Sequence, residues 1–158
     1  MKKTLTFALT ALTGFSATLA LAPDAHAATS IRVKALNVAA AQKNDPYRYG
    51  AAGPNAFDCS GLIYYSFKKS GKTLPRTAQS QYNKARHEDW HYRTKGDLVF
   101  IGKSSKSVTH VGIYAGYWSG KSWMWNANTG SYRGRRVVVA PINEYLGGGR
   151  KAMYGRIG

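Results

Sequence analysis

The hydrophobic period of this 158-residue chain changes near Gly96. Before that point apolar residues recur at helical spacing, and after it they alternate with a period of two, as in strands that bury one face. Helices first and strands linked by glycine-containing turns afterwards are typical of α+β domains, in which helices pack on one side of an antiparallel sheet. The sequence therefore predicts a single α+β domain over residues 28–158.

Three helices and five strands are predicted within it. The first helix ends ahead of Pro46, because proline disfavours helical backbone in the preceding residue, and Gly71 suits the end of the second. The helices are predicted over 31–42, 59–71 and 77–86, and the strands over 96–101, 108–117, 122–128, 135–142 and 154–157.

Residues 1–27 have the three parts of an export signal. Lys2 and Lys3 precede an apolar stretch over 5–21, and Ala25 and Ala27 are small residues at the −3 and −1 positions of a cleavage site. We therefore expect a signal peptide over 1–27 and a secreted, extracellular or wall-associated domain. The apolar stretch is short and interrupted for a spanning helix, so no membrane span is expected.

The formal net charge of +16 predicts an anionic partner or surface. The basic residues are scattered, apart from a run over 133–136, and no nucleic-acid-binding motif accompanies them. Anionic cell-wall polymers are therefore the expected partner of an exported monomer, with no specific nucleic acid. A basic face that only aids solubility remains the alternative.

Cys59 is the single cysteine of the sequence, so it cannot form a disulfide within the chain. If Asp58 caps the second helix, Cys59 lies in the first turn. Unpaired N–H groups and the positive end of the helix dipole favour a thiolate there. We expect an anionic thiol at neutral pH, although a cysteine at this position can also pack as a small hydrophobe.

A cysteine nucleophile needs a base and a polar group that orients the base. His110 lies in the second predicted strand, on the face opposite Val111, and Asn126 lies one strand later. The chain order Cys59, His110, Asn126 is that of papain-like enzymes, and these three residues are the catalytic candidates. A core position for His110 and a turn position for Asn126 remain structural alternatives.

A competing motif lies at residues 87–91, where His-Glu-Asp-Trp-His satisfies the H-E-x-x-H pattern of zinc peptidases. That pattern requires a helix held in the core. The flanking residues 83–86 and 92–95 are polar and charged, and a strand follows closely. The sequence therefore predicts a polar loop here and no metal site.

Five segments resemble, in order, the signature blocks of the NlpC/P60 family of bacterial cell-wall cysteine peptidases. They are residues 47–50 (YRYG), 58–62 (DCSGL), 74–77 (LPRT), 96–100 (GDLVF) and 110–114 (HVGIY). The resemblance implies a circularly permuted papain-like fold, with N-terminal helices on a mostly antiparallel sheet of five to six strands. It also implies cleavage of peptidoglycan stem peptides, next to D-glutamate and a diamino acid, through a thioester and without a cofactor.

By the same resemblance Cys59 is the nucleophile, His110 the base and Asn126 the third polar residue, while Tyr47, Asp58 and Ser60 contact substrate. The sequence has Tyr49 and Ala51 where the family commonly has Trp and Gly, which changes the pocket wall. An amidase, an acyltransferase or an effector against competitor cells would use the same Cys–His pair. A non-catalytic wall-binding module is the alternative from another class.

Overall fold

The computed structural model describes residues 30–130 and 132–158. The predicted signal peptide over 1–27 lies outside the described residues. Among the helices of the described part, none has the length and apolar character needed to cross a membrane.

Three helices precede all six strands of a single sheet. The helices are α1 (Ile31–Ala41), α2 (Cys59–Lys69) and α3 (Ala78–Lys84). The strands are β1 (Arg86–Glu88), β2 (Leu98–Gly102), β3 (Val108–Trp118), β4 (Lys121–Ala127), β5 (Val137–Pro141) and β6 (Lys151–Arg156). Short 3-10 helices span Trp90–Tyr92 and Ile142–Tyr145. Neighbouring strands pair antiparallel in the order β1-β6-β2-β3-β4-β5, which confirms the predicted α+β class.

The start of α2 is fixed by its capping residue and by a close approach of the preceding loop. Asp58 Oδ1 accepts a 2.7 Å hydrogen bond from the Gly61 N–H, which confirms Asp58 as the N-cap. A Cβ at Gly61 would lie 2.0 Å from the carbonyl oxygen of Ala51. Glycine at this position therefore lets the loop pack directly on the first turn of the helix, beside Cys59.

The end of α2 is a Schellman motif. Gly71 has a φ of 96°, its N–H bonds the carbonyl of Lys68, and the Lys72 N–H bonds the carbonyl of Phe67. The helical spacing predicted for apolar residues in this part of the chain is confirmed, because Leu62, Ile63 and Phe67, together with Ser66, are fully buried along one face of α2.

The two faces of the sheet are covered differently. The helices pack on the face that presents Leu98, Phe100, Val111 and Ile113. The opposite face presents Val99, Ile101, Tyr114 and Met124, and it packs against Ile142 and Tyr145 of the second 3-10 helix. This second face lies on the side of the sheet away from the helices.

A buried ionic cluster joins α1 to the sheet. The Asp97 carboxylate is inaccessible to solvent and lies 2.5 Å from Arg32 Nη1 and 2.8 Å from Arg156 Nη2. Burial opposes ionisation of Asp97, but hydrogen bonds from Arg156 and Thr94 and the two arginine charges hold its pKa below the usual range.

The prediction of a polar loop at residues 87–91 holds for residues 89–91, which form an exposed turn, but is wrong for His87 and Glu88, which belong to a strand. The third helix ends at Lys84 rather than near Arg86, and Arg86–Glu88 forms the edge strand β1, which pairs with β6. This pairing joins segments far apart in the sequence, so local composition gives no sign of it. The H-E-x-x-H residues are divided between β1 and a 3-10 turn, not placed on the single helix that a zinc peptidase motif needs.

Candidate active site

A cleft of about 530 Å³ opens at the start of α2. The loop before α2, the first turns of α2 and α3, and the start of β3 contribute its walls. Five of the six predicted site residues line it: Tyr47, Asp58, Cys59, Ser60 and His110. The sixth, Asn126, is fully buried behind His110 on the neighbouring strand β4.

The Cys59 thiol is free and partly exposed to the cleft. The backbone N–H groups of Cys59, Ser60 and Val111 lie near its sulfur and act to lower the pKa of the thiol. Val111 directly follows His110 on β3, so the thiol lies against the strand that carries the imidazole. The N–H groups of Cys59 and Ser60, at the start of α2, can donate to an oxyanion that develops on a substrate carbonyl at this sulfur.

Burial raises the pKa of the Cys59 thiol, and the neighbouring Asp58 carboxylate raises it further. The three backbone N–H groups lower it, as the position at the helix start predicts, but they do not outweigh these two effects. The prediction of an anionic thiol at neutral pH is therefore wrong for the free enzyme, in which Cys59 is protonated. Desolvation by the strand and loop packed on α2 was not visible in the sequence.

His110 is buried and has its ring fixed by Asn126. Its Nε2 lies 3.1 Å from Asn126 Oδ1. An amide oxygen only accepts hydrogen bonds, so Nε2 carries the proton and Nδ1 keeps a lone pair. Burial lowers the pKa of His110 to about 4, against a smaller opposing effect of the Asn126 hydrogen bond. At neutral pH the imidazole is therefore uncharged and able to take a proton.

Tyr145 is a member of this group that the sequence analysis missed. Its hydroxyl lies 3.0 Å from Asn126 Oδ1 and 3.1 Å from Asn128 Oδ1, and its ring stacks on the His110 ring. Burial raises the pKa of Tyr145 to about 12, which keeps the hydroxyl a hydrogen-bond donor. No local pattern marks a tyrosine in a short 3-10 helix after β5 as part of a site.

Arg76 is the second residue that the sequence analysis missed. Its guanidinium nitrogens lie 2.9 and 2.6 Å from the two Asp58 carboxylate oxygens and 3.0 Å from Ser60 Oγ. The signal was present in the sequence, because Arg76 belongs to one of the five family-like segments.

These contacts define what Asp58 and Ser60 do in the cleft. The Asp58 carboxylate also accepts the Gly50 N–H at 2.9 Å, so its oxygens are bonded within the protein. Burial disfavours its charge, but the bonds from Arg76, Gly61 and Gly50 lower its pKa on balance. Asp58 and Ser60 therefore line the cleft while holding the start of α2 and the preceding loop together.

Two tyrosines form the wall beside Asp58. Burial raises the pKa of Tyr47, with further contributions from Cys59 and Asp58, so its hydroxyl stays protonated in the cleft. The Arg135 guanidinium lies over the Tyr47 ring, 5.2 Å from its centroid. Tyr49 is 88% exposed at the cleft rim, at the position where the family commonly has Trp.

The NlpC/P60 family model matches residues 44–146, a span that contains every residue of the candidate active site. This chain belongs to the NlpC/P60 family. The resemblance carried by the five segments is thereby confirmed.

Two curated relatives are named as endopeptidases. The chain is 48% identical to the bifunctional muramidase/DL-endopeptidase CwlT of Bacillus subtilis over 77 residues, covering 47% of this chain and 23% of CwlT. It is 40% identical over 98 residues to the probable endopeptidase Cgl2188 of Corynebacterium glutamicum, covering 61% of this chain and 46% of that protein. The chain thus matches about a quarter to half of the length of these relatives.

A solved structure shows the same architecture. The P60 domain of the Mycobacterium avium subspecies paratuberculosis antigen MAP1204 superimposes with a TM-score of 0.64 at 28% sequence identity. The match covers 80% of this chain and 94% of that domain. The predicted papain-like α+β fold of this family is therefore confirmed.

Proposed function

We propose that this protein is a cysteine endopeptidase that hydrolyses peptide bonds in peptidoglycan stem peptides. The observation that carries the proposal is the placement of Cys59 and His110 in one open cleft, with His110 Nε2 bonded to Asn126 at 3.1 Å. Family membership and the endopeptidase names of the relatives support the same substrate class.

Acylation begins with the Cys59 thiol and the His110 imidazole both uncharged. As the substrate carbonyl enters the cleft, the Cys59 proton passes to His110 Nδ1 and the sulfur attacks the carbonyl carbon. The C–S bond forms, and the carbonyl electrons move onto oxygen. Backbone N–H groups at the start of α2 stabilise the resulting oxyanion. Collapse breaks the C–N bond, the imidazolium gives its proton to the departing amine, and a thioester remains.

Deacylation uses the same imidazole. His110 takes a proton from water, and the hydroxide attacks the thioester carbonyl. The C–S bond then breaks, and the sulfur regains its proton from the imidazolium. Asn126 supports both halves of the cycle, because it holds Nε2–H and leaves Nδ1 on the reacting side.

The bond proposed for cleavage is that between D-glutamate and the following diamino acid, as the family resemblance implies. We further propose that residues 1–27 direct export, supported by their basic start, apolar stretch and small residues before position 28. Export would deliver the enzyme to the wall in which this substrate lies.

The deciding experiment is mass spectrometry of muropeptides after digestion of purified peptidoglycan with wild type, Cys59→Ser and Cys59→Ala. The expected products carry a new free amino group on the diamino acid and a new carboxyl group on D-glutamate, with wild type alone. Release of intact stem peptides from the sugar would instead identify an amidase. Retained wall binding with no product from any of the three proteins would identify a non-catalytic module.

A further inference from the structure

A second groove, of about 710 Å³, lies away from the catalytic cleft. It occupies the face of the sheet opposite the three main helices, and Tyr154 and Ile142 of the second core contribute to it. Among the described residues, those that line the groove are all different from those that line the catalytic cleft. The proposed peptidase mechanism therefore leaves the groove without a role.

The walls of the groove are positively charged. Among the described residues that line it, Arg93, Lys121, Arg150 and Lys151 are basic, and none is Asp or Glu. Lys121, Arg150 and Lys151 are exposed to solvent. A concave surface with charges of one sign concentrates ligands of the opposite sign.

Aromatic rings accompany these charges. Trp90 is 54% exposed and Tyr117 is 66% exposed, and both line the groove. Large exposed rings are costly to leave in water, and their flat faces suit the C–H faces of carbohydrate rings. The groove thus combines aromatic stacking surfaces with positive charges.

Arg93 gives the groove a fixed positive charge rather than a mobile one. Its guanidinium carbon lies 5.2 Å from the ring centroids of Trp90 and Tyr114 and 5.4 Å from that of Tyr154. It also donates to Ser122 Oγ at 2.9 Å and to the Trp90 carbonyl. Two of the aromatic rings that line the groove, those of Trp90 and Tyr154, are therefore held in place before any ligand arrives, which reduces the entropic cost of binding.

We propose that this groove binds an anionic carbohydrate polymer of the cell wall, in which sugar or polyol units alternate with negative groups. Rings would lie on Trp90 and Tyr117, and the negative groups would pair with Lys121, Arg150 and Lys151. A net charge of +16 favours the same class of ligand. Binding on this face would hold the domain on the wall while the cleft on the helix side of the sheet stays open for peptides.

The test is equilibrium binding of the Cys59→Ala variant to soluble polymers, measured by fluorescence anisotropy. This variant separates binding from hydrolysis, so the outcome does not depend on the proposed peptidase function. The probes are purified teichoic acid (phosphodiester charges) and polygalacturonate (carboxylate charges). Polyphosphate provides charge without carbohydrate, and dextran provides carbohydrate without charge. We expect binding to one or both anionic carbohydrates and weaker binding to polyphosphate and dextran.

The charge contribution is tested with a matched pair of double variants. Lys121→Gln/Lys151→Gln removes two charges at the groove, and Lys43→Gln/Lys84→Gln removes two exposed charges elsewhere. At about 1 kcal/mol per lysine near a polyanion, we expect the groove variant to weaken binding about 30-fold and the control variant about two-fold at most. Equal loss in both variants would overturn the proposal, because it would show attraction by the overall charge alone.

The aromatic contribution is tested with Tyr117→Ala against Tyr49→Ala, which deletes another exposed tyrosine ring at the catalytic cleft. We expect Tyr117→Ala to weaken polymer binding about five-fold and Tyr49→Ala to leave it unchanged. The assignment of the groove would be overturned if polyphosphate or dextran bound as tightly as the better-bound anionic carbohydrate, or if Tyr117→Ala had no effect.

Discussion

Tyr145 lies almost parallel to the His110 ring, with the ring centroids 4.9 Å apart and an angle of 10° between the planes. The same tyrosine donates toward Asn126 Oδ1, the atom that accepts the His110 Nε2–H. One side chain therefore restrains the imidazole twice, through its face and through its hydrogen-bond acceptor. Tyr145 does not line the catalytic cleft, so it is a positioning residue.

Tyr145→Phe keeps the stacked ring and removes the hydroxyl. We expect kcat to fall about ten-fold with KM unchanged, because a net hydrogen bond of about 1–1.5 kcal/mol that orients Asn126 is lost. Steady-state kinetics on a defined stem-peptide substrate measures the two constants separately. A rise in KM at constant kcat would contradict a positioning role.

A double-mutant cycle serves as the control for this prediction. Asn126→Ala alone removes the acceptor that fixes the imidazole tautomer, and we expect a fall in kcat of about 100-fold. If Tyr145 acts only by holding Asn126, adding Tyr145→Phe to Asn126→Ala costs nothing further. If the fold-losses in kcat of the two single variants multiply in the double variant, the tyrosine hydroxyl has an effect that is independent of Asn126.

The sequence was sufficient to predict the local architecture around the nucleophile. Asp58 as cap, the buried stripe of α2 and Gly71 as terminator all follow from residues within a few positions of one another. The alternation in β3 likewise predicted that Val111 and Ile113 share a face, and that face packs against the helices. These features depend on residue types at fixed short spacings along the chain, so they can be inferred from the sequence alone.

Contacts between distant segments were not predictable in the same way. Part of the segment predicted as a polar loop is the edge strand β1, because it pairs with β6. Tyr145, which follows β5 in the sequence, forms a hydrogen bond with Asn126 on β4. The protonation of Cys59 was also missed, because burial depends on which elements pack over the thiol. A helix start favours a thiolate locally, but desolvation is a property of the whole fold.

Arg76→Gln is expected to make the thiol less acidic. Without the guanidinium, the Asp58 carboxylate that already raises the Cys59 pKa loses its balancing charge. The rate of alkylation by iodoacetamide, followed against pH, should shift to higher pH than in wild type. Arg48→Gln is the matched control, since it removes an equal charge from an exposed position and should leave the profile in place. Identical profiles for wild type and Arg76→Gln would contradict an influence of the guanidinium on the thiol.

Tyr49→Ala tests whether the cleft rim contacts the peptide. The side chain is 88% exposed, so its removal should not change the free energy of unfolding. We expect KM for a stem peptide to rise several-fold with kcat nearly unchanged, as for loss of uniform binding. Tyr49→Trp, which restores the residue common in the family, should retain or lower KM. An unchanged KM in both variants would place the substrate elsewhere in the cleft.

His110 should make stability depend on pH in a defined window. Its folded-state pKa of about 4 lies below the ordinary 6.5, so the unfolded chain binds the proton more readily. The contribution of neutral His110 is therefore complete above pH 6.5 and is lost as the pH falls toward 4. Between about pH 7 and pH 4.5 we expect wild type to lose about 2–3 kcal/mol more than His110→Gln in urea unfolding. Equal losses would show that another group is responsible.

The pH dependence of activity should follow the same group. For the free enzyme, the acid limb of kcat/KM reports protonation of the essential base. Because burial keeps His110 neutral down to a pKa of about 4, we expect that limb to have its midpoint well below the ordinary value of 6.5. The raised pKa of Cys59 should keep the alkaline side flat through about pH 8. A midpoint near the ordinary histidine value would mean that the imidazole is solvated or paired with a thiolate in the working enzyme, and the neutral-pair mechanism would then be incorrect.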